Sequence, residues 1–417
     1  MTNSIASERQ HEQVIVVGAG AAGLWAASRL AEAGKSVLVL EKQVHSGSKI
    51  LASGGSHCNL TTTLPRDEAR DLFGTRGSRF LRHAFRALDP LALRERFREL
   101  GVESVEAPLD KVFPASGRAR DVRDALERAV LASGGRILFE RAVTAVRPEN
   151  GAWLIDCASG EGFSCERLLL CPGGKSYPGT GTTGDGYAWL EELGCELVPT
   201  VPALAPLASD SEWVRELSGV ALQDSELRLV EESGKLLAKR RRPVLFTHAG
   251  LSGPAAMDVS VHVARRPDTK LYASLDLAPD TDRDVLRDRF VGAAGQAGGP
   301  HLRNILGLDV PKRVLEIVTS QAGCDRANPR VNGLSKAQRH GLVEGLKGLR
   351  VPISGTLGFD KAEVTAGGLA LSELDPGSME LRRHKNLYVF GELLDLDGPI
   401  GGLNFQAAFA TAELASR

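Results

Sequence analysis

A glycine pattern close to the N-terminus constrains the fold of this chain more than any other feature. Residues 14–41 read VIVVGAGAAGLWAASRLAEAGKSVLVLE: an apolar run, the pattern Gly18-x-Gly20-x-x-Gly23, a helical stretch, and a second apolar run that ends at Glu41. In a strand–turn–helix unit the first glycine permits a tight turn, the second lets a phosphate approach the backbone, and the third lets the helix pack closely on the sheet. The pattern predicts a parallel strand–helix–strand unit.

The same unit predicts a nucleotide site. A pyrophosphate would lie at the helix N-terminus, where unpaired N–H groups and the helix dipole favour negative charge without any Lys or Arg. Glu41 follows the glycines by about 20 residues, the distance expected of the acid that accepts hydrogen bonds from a ribose diol. The alternative is a glycine turn with no ligand, but strand, turn, helix, strand and acid all fall in register. We therefore predict adenine dinucleotide binding near the N-terminus.

The composition limits the other possibilities. With 417 residues the chain is long enough for two or three domains. Its 51 basic and 52 acidic residues argue against a polyanion-binding field over the whole protein, but not against a local patch. Six cysteines lack a CxxC pair or a zinc-like spacing, so we expect reduced thiols, no metal site and a cytoplasmic protein. The first dozen residues carry no secretory signal, and Arg29 interrupts the longest apolar run, so no membrane span is expected.

The order of the elements predicts an interrupted nucleotide domain. Residues 1–194 contain the first unit, the glycine- and serine-rich loop 47–62, and a buried strand at 163–170 that leads into Gly173-Gly174. Residues 195–354 change to short strand-like segments and then short helices, and residues 355–417 return to strands and glycine turns. We therefore predict an α/β fold in which segments 1–194 and 355–417 form one Rossmann-like domain, with 195–354 inserted as a β part and a helical part.

The C-terminal segment predicts a second contact with the cofactor. A buried strand, Leu387 to Phe390, runs into Gly391-Glu392, then into a glycine-containing loop with Asp395 and Asp397, and finally into a helix opened by Gly401-Gly402-Leu403-Asn404. Free N–H groups at that helix start would stabilise negative charge on a flavin pyrimidine ring. The alternative is a glycine-rich turn with no ligand. The dinucleotide fold brings both glycine loops to the carboxyl edge of one sheet, which favours a shared ligand.

Motifs along nearly the whole chain carry a family resemblance. They are GAGAAGLWAA, GSKILASGGSHCNLT, GGKSYPGTGTTGDGY, FTHAGLSGPA, AEVTAGGL and GELLDLDGPIGGLNFQAAFATA. The chain resembles the HI0933-like, or aminoacetone oxidase-like, bacterial flavoproteins. The resemblance implies FAD as cofactor, a Rossmann-like FAD domain in two segments, and an insert made of a β-barrel and a helical part.

The resemblance also implies a set of cofactor-binding residues. It places along or near FAD Gly18, Gly20, Gly23, Glu41, Lys42, Lys49, Gly174, Gly391, Glu392, Asp397, Gly402 and Asn404. The same loops add Ala21, Ala22, Ser53, Gly54, Gly55, Asn59, Val143, Gly173 and Gly401 to the predicted set. Two positions depart from the family pattern: His57 replaces an arginine that often precedes the Cys-Asn pair, and Ser48 replaces a basic residue before Lys49.

Three side chains are candidates for proton transfer to a substrate over the flavin. Cys58 lies in the loop expected beside the ring, and a buried structural thiol is its alternative role. His248 precedes a predicted helix start that would point into the cleft between insert and FAD domain, and it is otherwise a satisfied turn histidine. Tyr177 is the third candidate. With no second GxGxxG and no CxxC, NAD(P)H is expected to bind transiently, or oxygen to reoxidise the flavin.

Charge in the insert is the main indication of the substrate. Between residues 299 and 354 the basic residues are Arg303, Lys312, Arg313, Arg326, Arg330, Lys336, Arg339, Lys347 and Arg350, against Asp309, Glu316, Asp325 and Glu344. The run Lys239 to Arg242 adds charge on a predicted β turn. A positive lobe over a flavin cleft favours an RNA backbone, and a solvated charged face is the alternative.

Three functions remain open from the sequence. The resemblance suggests reduction of the uridine C5=C6 bond in large-subunit ribosomal RNA, with the base flipped onto the flavin. The second is oxidation or reduction of a small metabolite, as an amine oxidase or enone reductase. The third is a flavin-bearing binding or sensor module without turnover. Salt-dependent binding of ribosomal RNA would favour the first over the second. The sequence gives no oligomeric state.

Overall fold

A computed structural model describes residues 9–295, 298–307, 310–325 and 328–417. The strands are β1 (Gln10–Val17), β2 (Val37–Leu40), β3 (Thr61–Thr62), β4 (Ser104–Ala107), β5 (Lys111–Pro114), β6 (Arg136–Leu138), β7 (Val143–Glu149), β8 (Ala152–Cys157), β9 (Gly162–Leu170), β10 (Leu197–Ala203), β11 (Leu207–Ala208), β12 (Ala221–Leu222), β13 (Glu226–Glu231), β14 (Leu236–Arg241), β15 (Val244–Thr247), β16 (Gly250–Ser252), β17 (Leu271–Asp276), β18 (Leu349–Ile353), β19 (Gly355–Thr356), β20 (Val364–Leu369) and β21 (Leu387–Val389). The helices are α1 (Ala21–Glu32), α2 (Ser48–Ala52), α3 (Arg66–Asp71), α4 (Gly74–Ala87), α5 (Pro90–Glu99), α6 (Ala119–Ala132), α7 (Asp185–Glu192), α8 (Glu212–Glu216), α9 (Pro254–Ala264), α10 (Arg283–Ala294), α11 (Leu302–Leu306), α12 (Lys312–Gln321), α13 (Lys336–Gly348) and α14 (Leu403–Ala415).

The chain divides into two compact units. Unit 1 comprises the described residues up to Val201 together with Glu363–Arg417, and unit 2 comprises Pro202–Ala362. The sequence analysis predicted domain boundaries after residues 194 and 354. The first boundary lies later because β10 pairs with β20, which keeps residues as far as Val201 in unit 1. The second lies later because β19 pairs with β11, which keeps residues 355–362 in unit 2.

Unit 1 is built on a mostly parallel sheet. Its strand order is β6-β2-β1-β9-β8-β7, and β21 also pairs with β9. The strands β6, β2, β1, β9 and β21 run parallel, and β8 and β7 continue the sheet antiparallel. The register joins Val14–Val17 to Val37–Leu40, so the glycine loop and Glu41 leave neighbouring strands at the same edge. This arrangement confirms the predicted Rossmann-like α/β fold.

The first and last helices share one core. Trp25 of α1 is 1% exposed, and its ring centroid lies 5.2 Å from that of Phe409 in α14. The Trp25 indole N–H donates to Glu413 at 3.0 Å, which satisfies the buried donor. Burying aromatic side chains of this size contributes roughly 1.5–3 kcal/mol each. The two ends of the sequence therefore fold together within unit 1.

One local expectation is wrong in detail. The segment 47–62 was expected to be a loop, but it contains α2 and a 3₁₀ helix at Ser53–Ser56. Elsewhere, the chain between β6 and β7 is interrupted because Glu140 has φ of 58°, which no regular strand accommodates.

Unit 2 combines two antiparallel sheets with helices. One sheet has the order β12-β15-β16-β11-β19 and the other β14-β13-β17-β18. Within the described residues these are separate hydrogen-bonded sheets, so the expected barrel consists of two sheets rather than one closed ladder. Both sheets and the helices contribute to one core, which includes Leu229, Phe246, Phe290 and Leu342. Lys347 of α13 pairs with Asp276 of β17 at 2.7 Å inside this unit.

Among the described residues, no helix has both the length and the apolar character needed to cross a membrane.

Candidate functional site

The three glycines of the N-terminal pattern have different surroundings. Gly18 has φ of +104°, and a Cβ there would lie 2.7 Å from the carbonyl oxygen of Cys171. A Cβ on Gly23 would lie 1.8 Å from the Gly18 carbonyl oxygen, so the helix can approach the strand only with glycine. A Cβ on Gly20 would meet nothing within 4 Å. Gly18 and Gly23 serve the fold, and the open space lies at Gly20.

Among the described residues, no side chain forms a cap hydrogen bond at the N-terminus of α1. Its N-cap residue is Gly20, which offers no side-chain hydrogen bond, and the first turn has no acidic residue. The N–H groups of Ala21, Ala22 and Gly23 precede the first residue that has an intrahelical acceptor. Free N–H groups at the positive end of a helix of 12 residues favour an anion. The residues at this end therefore fit a pyrophosphate.

Glu41 holds the turn that carries the glycines. Its carboxylate accepts hydrogen bonds from the backbone N–H of Ala19 at 2.7 Å and of Gln43 at 2.9 Å. A carboxylate has about four acceptor positions, so two remain for a ribose diol. The Glu41 carbonyl accepts from the N–H of Arg141 at 2.8 Å, which brings the start of β7 at Val143 beside Glu41.

The N-terminus of α14 is also uncapped and lies against β3. The N-cap residue is Gly402, with φ of 81° and no side-chain hydrogen bond. A Cβ on Gly402 would lie 2.2 Å from the carbonyl oxygen of Thr61. Gly401 has φ of +141°. Only glycine permits this approach, so the backbone at the start of α14 lies directly against the segment that follows Cys58.

The loop before α14 is fixed by its own side chains. Asn404 accepts from the Gly398 N–H at 2.8 Å and donates to the Gly398 carbonyl at 2.8 Å, so its amide holds the loop. Asp397 is half-buried and has an interaction partner. A Cβ on Gly391 would lie 3.2 Å from the Cβ of Ala22. The chain leaving β21 therefore touches the first turn of α1.

A polar cluster joins four separate segments of unit 1. Lys49 of α2 forms an ion pair with Glu392 and donates to the Ser176 hydroxyl at 2.5 Å. Ser176 in turn donates to Glu392, which also accepts from the Thr365 N–H at 2.9 Å. A Cβ on Gly174 would lie 2.4 Å from the Thr365 hydroxyl. The predicted residues Lys49, Gly174 and Glu392 are thus brought together.

Three members of this region were not predicted. Ser176, Thr365 and Tyr187 lie within motifs that carry the resemblance, but their types gave no reason to select them. The Tyr187 hydroxyl donates to the Glu392 carbonyl at 3.4 Å, and burial raises the pKa of this phenol well above its usual range. Tyr187 is therefore a neutral donor at all physiological pH values.

Lys42, which the resemblance implies along or near FAD, is held by two side chains of unit 1. Its ammonium donates to Thr183 at 2.7 Å and to Asp185 at 2.6 Å. Asp185 is in the first turn of α7, so Lys42 ties the end of β2 to that helix. The charge of Lys42 is therefore neutralised by a carboxylate of unit 1.

The loop that contains Thr183 also packs closely on Gly173. A Cβ on Gly173 would lie 2.7 Å from Cγ2 of Thr182.

The loop that contains Cys58 has an unusual backbone. Gly54, Gly55, Ser56 and Cys58 all have positive φ, including 71° at Ser56 and 58° at Cys58. Left-handed non-glycine residues cost on the order of 1–3 kcal/mol each and concentrate at functional sites. Ser53 donates to the Ile50 carbonyl at 2.7 Å, which stabilises the start of the loop.

The segment after Cys58 is held on both sides. Asn59 accepts from the Val112 N–H at 3.3 Å, and Thr61 donates to Gln406 of α14 at 2.6 Å. His57, in the position where the family often has arginine, is exposed and bonds through Nδ1 to the Gly117 carbonyl at 2.6 Å. Because a carbonyl only accepts, Nδ1 of His57 carries the proton.

Cys58 is a buried, protonated thiol. Its side chain is 0% exposed, and burial raises its pKa to about 12, against a lowering contribution from the Ser53 hydrogen bond. The thiol therefore carries its proton at neutral pH and suits proton donation rather than nucleophilic attack. Cys58 precedes Thr61 by three residues, and a chain of that length spans at most about 10 Å. Because Thr61 contacts Gly402 at the start of α14, Cys58 lies near the N-terminus of that helix.

The other two candidate side chains are exposed. Tyr177 is 43% exposed and adopts φ of 56° next to Ser176. His248 lies in unit 2, at the tight turn between β15 and β16, so a hairpin separates it from the helix that begins at Pro254. His248 is exposed, and no described residue forms a hydrogen bond with its ring; the satisfied turn histidine is therefore not observed.

Buried thiols predict a loss of stability at alkaline pH. Burial raises the pKa of both Cys58 and Cys165 to about 12. The folded state then holds these protons more tightly than the unfolded state, so the stabilisation is complete below the unfolded pKa and is lost as pH rises above it. At pH 10 each thiol should lower the free energy of unfolding by about 1.5–2 kcal/mol. Denaturant unfolding at pH 8 and pH 10 measures this loss. Cys165→Ala lacks one of the two thiols, so its free energy of unfolding should fall less between pH 8 and pH 10 than that of the wild type. An equal fall in the two proteins would contradict the prediction.

Many basic residues of the insert are occupied within unit 2. Arg330 donates to the carbonyls of Gly298 and Gly299 at 2.6 and 2.9 Å, and Arg350 stacks 4.1 Å from the ring centroid of Tyr272. Arg303 and Lys336 are exposed, whereas Arg326 and Asp309 lie outside the described residues. The expected basic lobe therefore offers fewer free cations than the sequence count.

The basic run at 239–242 is not on a turn as predicted. It lies mainly on β14, which extends to Arg241. Arg241 pairs with Asp224 at 2.7 Å and with Asp280 at 2.5 Å, which neutralises most of its charge.

The described part of the chain holds no group of three His, Cys, Asp or Glu side chains placed to bind a metal. Its six cysteines are free thiols.

Comparisons with known proteins assign this arrangement to a family. Residues 12–417 match the family described as HI0933-like protein Rossmann domain. The chain is 29% identical over 398 residues to the ribosomal RNA dihydrouridine synthase of Escherichia coli K12, covering 95% of each chain. It is 29% identical over 408 residues to the 3-dehydro-bile acid delta(4,6)-reductase of Clostridium scindens, covering 96% of this chain and 97% of the relative.

A solved structure supports the same fold. The 3-ketosteroid-delta4-(5alpha)-dehydrogenase of Rhodococcus jostii RHA1 aligns with a TM-score of 0.50 and 15% identity, over 100% of this chain and 99% of that one. Identity at this level supports the fold alone. Together with the glycine loop, the uncapped helix starts and the family match over residues 12–417, these likenesses lead to one assignment. The chain belongs to the HI0933-like family of FAD-dependent oxidoreductases.

Proposed function

We propose that this protein reduces the C5=C6 bond of a uridine in large-subunit ribosomal RNA, with FAD as cofactor and NAD(P)H as electron donor, in the cytoplasm. The observation that carries the proposal is the likeness to the Escherichia coli ribosomal RNA dihydrouridine synthase, which covers 95% of each chain. The Haemophilus influenzae relative of the same name is 29% identical and covers 97% of each chain.

Residues of unit 1 offer contacts for the pyrophosphate, the adenosine ribose and the flavin ring of FAD. The free N–H groups at the start of α1 bind the pyrophosphate, and Glu41 accepts from the adenosine ribose. The free N–H groups at the start of α14 lie beside the pyrimidine end of the ring and stabilise negative charge there. The ion pair of Lys49 with Glu392 holds the loops that line this region.

The chemistry divides between cofactor and protein. When bound and reduced by NAD(P)H, the flavin would supply a hydride to the carbon β to a carbonyl group of the substrate. The protein must then provide a proton to the α carbon, exclude water and hold the base against the ring. We assign the proton to Cys58, because its thiol is 0% exposed and stays protonated with a pKa of about 12. A uridine within folded RNA must leave its stack to reach such a site.

A Cys58→Ala variant tests that role. We expect turnover of the RNA substrate to fall about 10²- to 10⁴-fold, as for loss of a general acid, while NAD(P)H reduces the bound flavin at the wild-type rate. Stopped-flow absorbance separates the two half-reactions. Cys165→Ala, which removes another buried thiol, serves as the control. Wild-type turnover in Cys58→Ala would exclude Cys58 as the proton donor.

A small conjugated ketone is the second candidate substrate. The Clostridium scindens relative is named a bile acid delta(4,6)-reductase and covers 97% of its own chain in the match. Its named reaction and uridine reduction both saturate a carbon–carbon double bond conjugated to a carbonyl group. The same site chemistry therefore serves either substrate, and recognition outside the flavin decides between them.

Mass spectrometry of ribosomal RNA tests the proposal directly. In a strain that lacks this gene, one uridine should lose the two-hydrogen mass increment, and a plasmid copy should restore it. The purified holoenzyme with NAD(P)H should add the same increment to RNA from the deletion strain. Unchanged ribosomal RNA in the deletion strain, with NAD(P)H oxidation stimulated only by small enones, would refute the RNA substrate and favour the second candidate.

A further inference from the structure

Helix α4 has one buried face and one strongly basic face. Its buried residues are Gly77, Phe80, Leu81, Ala84 and Phe85. Its basic residues are Arg76, Arg79, Arg82, His83 and Arg86, and the helix has no acidic residue. At 100° per residue these five fall within a sector of about 120°. We call this sector the α4 stripe.

The arginines of the α4 stripe are not neutralised. All four are exposed, and no residue in the described parts of the chain forms an ion pair or hydrogen bond with their side chains. The next helix is different. In α5, Arg94 pairs with Glu106, Arg96 with Glu99 and Arg98 with Glu95. Like charges three and four residues apart repel each other, and a polyanion lying along α4 would remove that repulsion.

A cavity opens at the C-terminal end of the stripe. It has a volume of about 340 Å³ and is lined by His83, Arg86, Ser378, Tyr388 and Arg417, among others. Two carboxylates lie beside lining residues of the cavity. Glu413 is 7% exposed and is paired with Arg29 at 3.0 Å and with Arg417 at 3.6 Å, and the exposed Asp375 accepts from the N–H of the lining residue Gly377 at 2.8 Å. The cationic wall of the cavity is therefore the one formed by Arg86 and Arg417, and this wall suits a phosphate group.

The other end of α4 reaches the loop that precedes α14. A Cβ on Gly77 would lie 3.2 Å from Cδ2 of Leu396, and one on Gly398 would lie 2.9 Å from the ring of Phe73. From Arg76 to Arg86 the stripe extends about 15 Å along the helix axis. An RNA strand bound along α4 would therefore lead toward the start of α14, where the flavin ring is proposed to lie.

We infer that the α4 stripe and the cavity at its end bind the phosphate backbone of the substrate RNA. The inference rests on the proposed RNA substrate and moves the RNA-binding surface from the insert to unit 1. Recognition there is electrostatic and carries no sequence information, since arginines on phosphates position a nucleic acid without reading its bases.

Two triple variants of the FAD-loaded protein test the inference. Arg79→Gln/Arg82→Gln/Arg86→Gln removes charge from the stripe, and Arg94→Gln/Arg96→Gln/Arg98→Gln removes the same charge from paired arginines of α5. Glutamine retains helix propensity. Binding of ribosomal RNA is measured over a range of salt concentrations, and FAD content and NAD(P)H oxidation with a small enone are measured in parallel.

We expect the stripe variant to bind RNA at least about tenfold more weakly, with a slope of log affinity against log salt reduced by about 2, since each phosphate contact contributes about 0.7. FAD content and enone-stimulated oxidation should remain at wild-type levels. Equal losses in the two variants, or wild-type RNA binding by the stripe variant, would overturn the inference. So would binding of anionic phospholipid vesicles that depends on the stripe while RNA binding does not. If the wild type binds no RNA in a salt-dependent way, the proposed function itself fails.

Discussion

Gly20→Val is expected to give a folded protein without bound flavin. A Cβ at this position meets no protein atom within 4 Å, so the substitution should leave the fold of unit 1 intact. The added methyl groups would occupy the space above the free N–H groups of α1, where a pyrophosphate must approach. We expect FAD content after purification to fall by at least about tenfold, because charge-assisted hydrogen bonds to the phosphates are lost. Visible absorbance and released FAD give the measurement.

Two other glycines provide the controls for this result. Gly292→Val changes a helical glycine of α10 that also has nothing within 4 Å of its Cβ, and it should keep the wild-type flavin content. Gly23→Val, whose Cβ would lie 1.8 Å from the Gly18 carbonyl oxygen, should fail to fold. A yellow, fully loaded Gly20→Val protein would contradict the predicted pyrophosphate position.

Glu392→Ala should have the second largest effect, through loss of both stability and flavin. Its carboxylate accepts from Lys49, Ser176 and Thr365. In the alanine variant Lys49 keeps only the Ser176 hydroxyl and Ser176 keeps only the Glu363 carbonyl as acceptor, while the Thr365 N–H loses its acceptor. Lys49 is 24% and Glu392 is 18% exposed, which reduces the penalty relative to a fully buried pair. We expect the free energy of unfolding to fall by about 2–4 kcal/mol and Tm by roughly 5–10 °C. Thermal unfolding followed by circular dichroism measures the change.

A double variant distinguishes a lost ion pair from lost packing. Lys49→Met/Glu392→Leu removes both charges and should recover part of the stability that Glu392→Ala loses. Glu95→Ala is the surface control, because its partner Arg98 is 58% exposed and such pairs contribute about 1 kcal/mol or less. Equal stability losses in Glu95→Ala and Glu392→Ala would show that the polar cluster does not hold unit 1 together.

Local patterns explain how much of the fold the sequence could predict. The positions of Gly18, Gly20 and Gly23 follow from a turn of a few residues, and the structure gives each the surroundings that its predicted role requires. The strand–helix–strand unit and its parallel pairing also follow from short-range periodicity. The segment 47–62 was harder, because its glycines and serines favour turns, while tertiary contacts stabilise the five-residue helix α2.

The polar cluster and the α4 stripe depend on contacts that no short-range pattern contains. Ser176 meets Glu392 across 216 positions of sequence, so nothing near Ser176 distinguishes it from other loop serines. Two arginines of α5 have a glutamate three residues away on the same helix, whereas α4 has no acidic residue. The pair between Arg94 and the more distant Glu106 is visible only in the structure. Lys347, counted among the basic residues at 299–354, likewise pairs with Asp276 of β17, which is distant in the sequence.

Hydrogen exchange with and without FAD tests the central claim, that both ends of the chain bind one cofactor. The flavin is removed from the purified protein, and amide exchange is compared before and after FAD is restored. The account predicts slower exchange in two separate segments, residues 18–24 at the start of α1 and residues 401–406 at the start of α14, at the same FAD concentration. Protection of residues 18–24 with unchanged exchange at residues 401–406, or no protection in either segment, would contradict it.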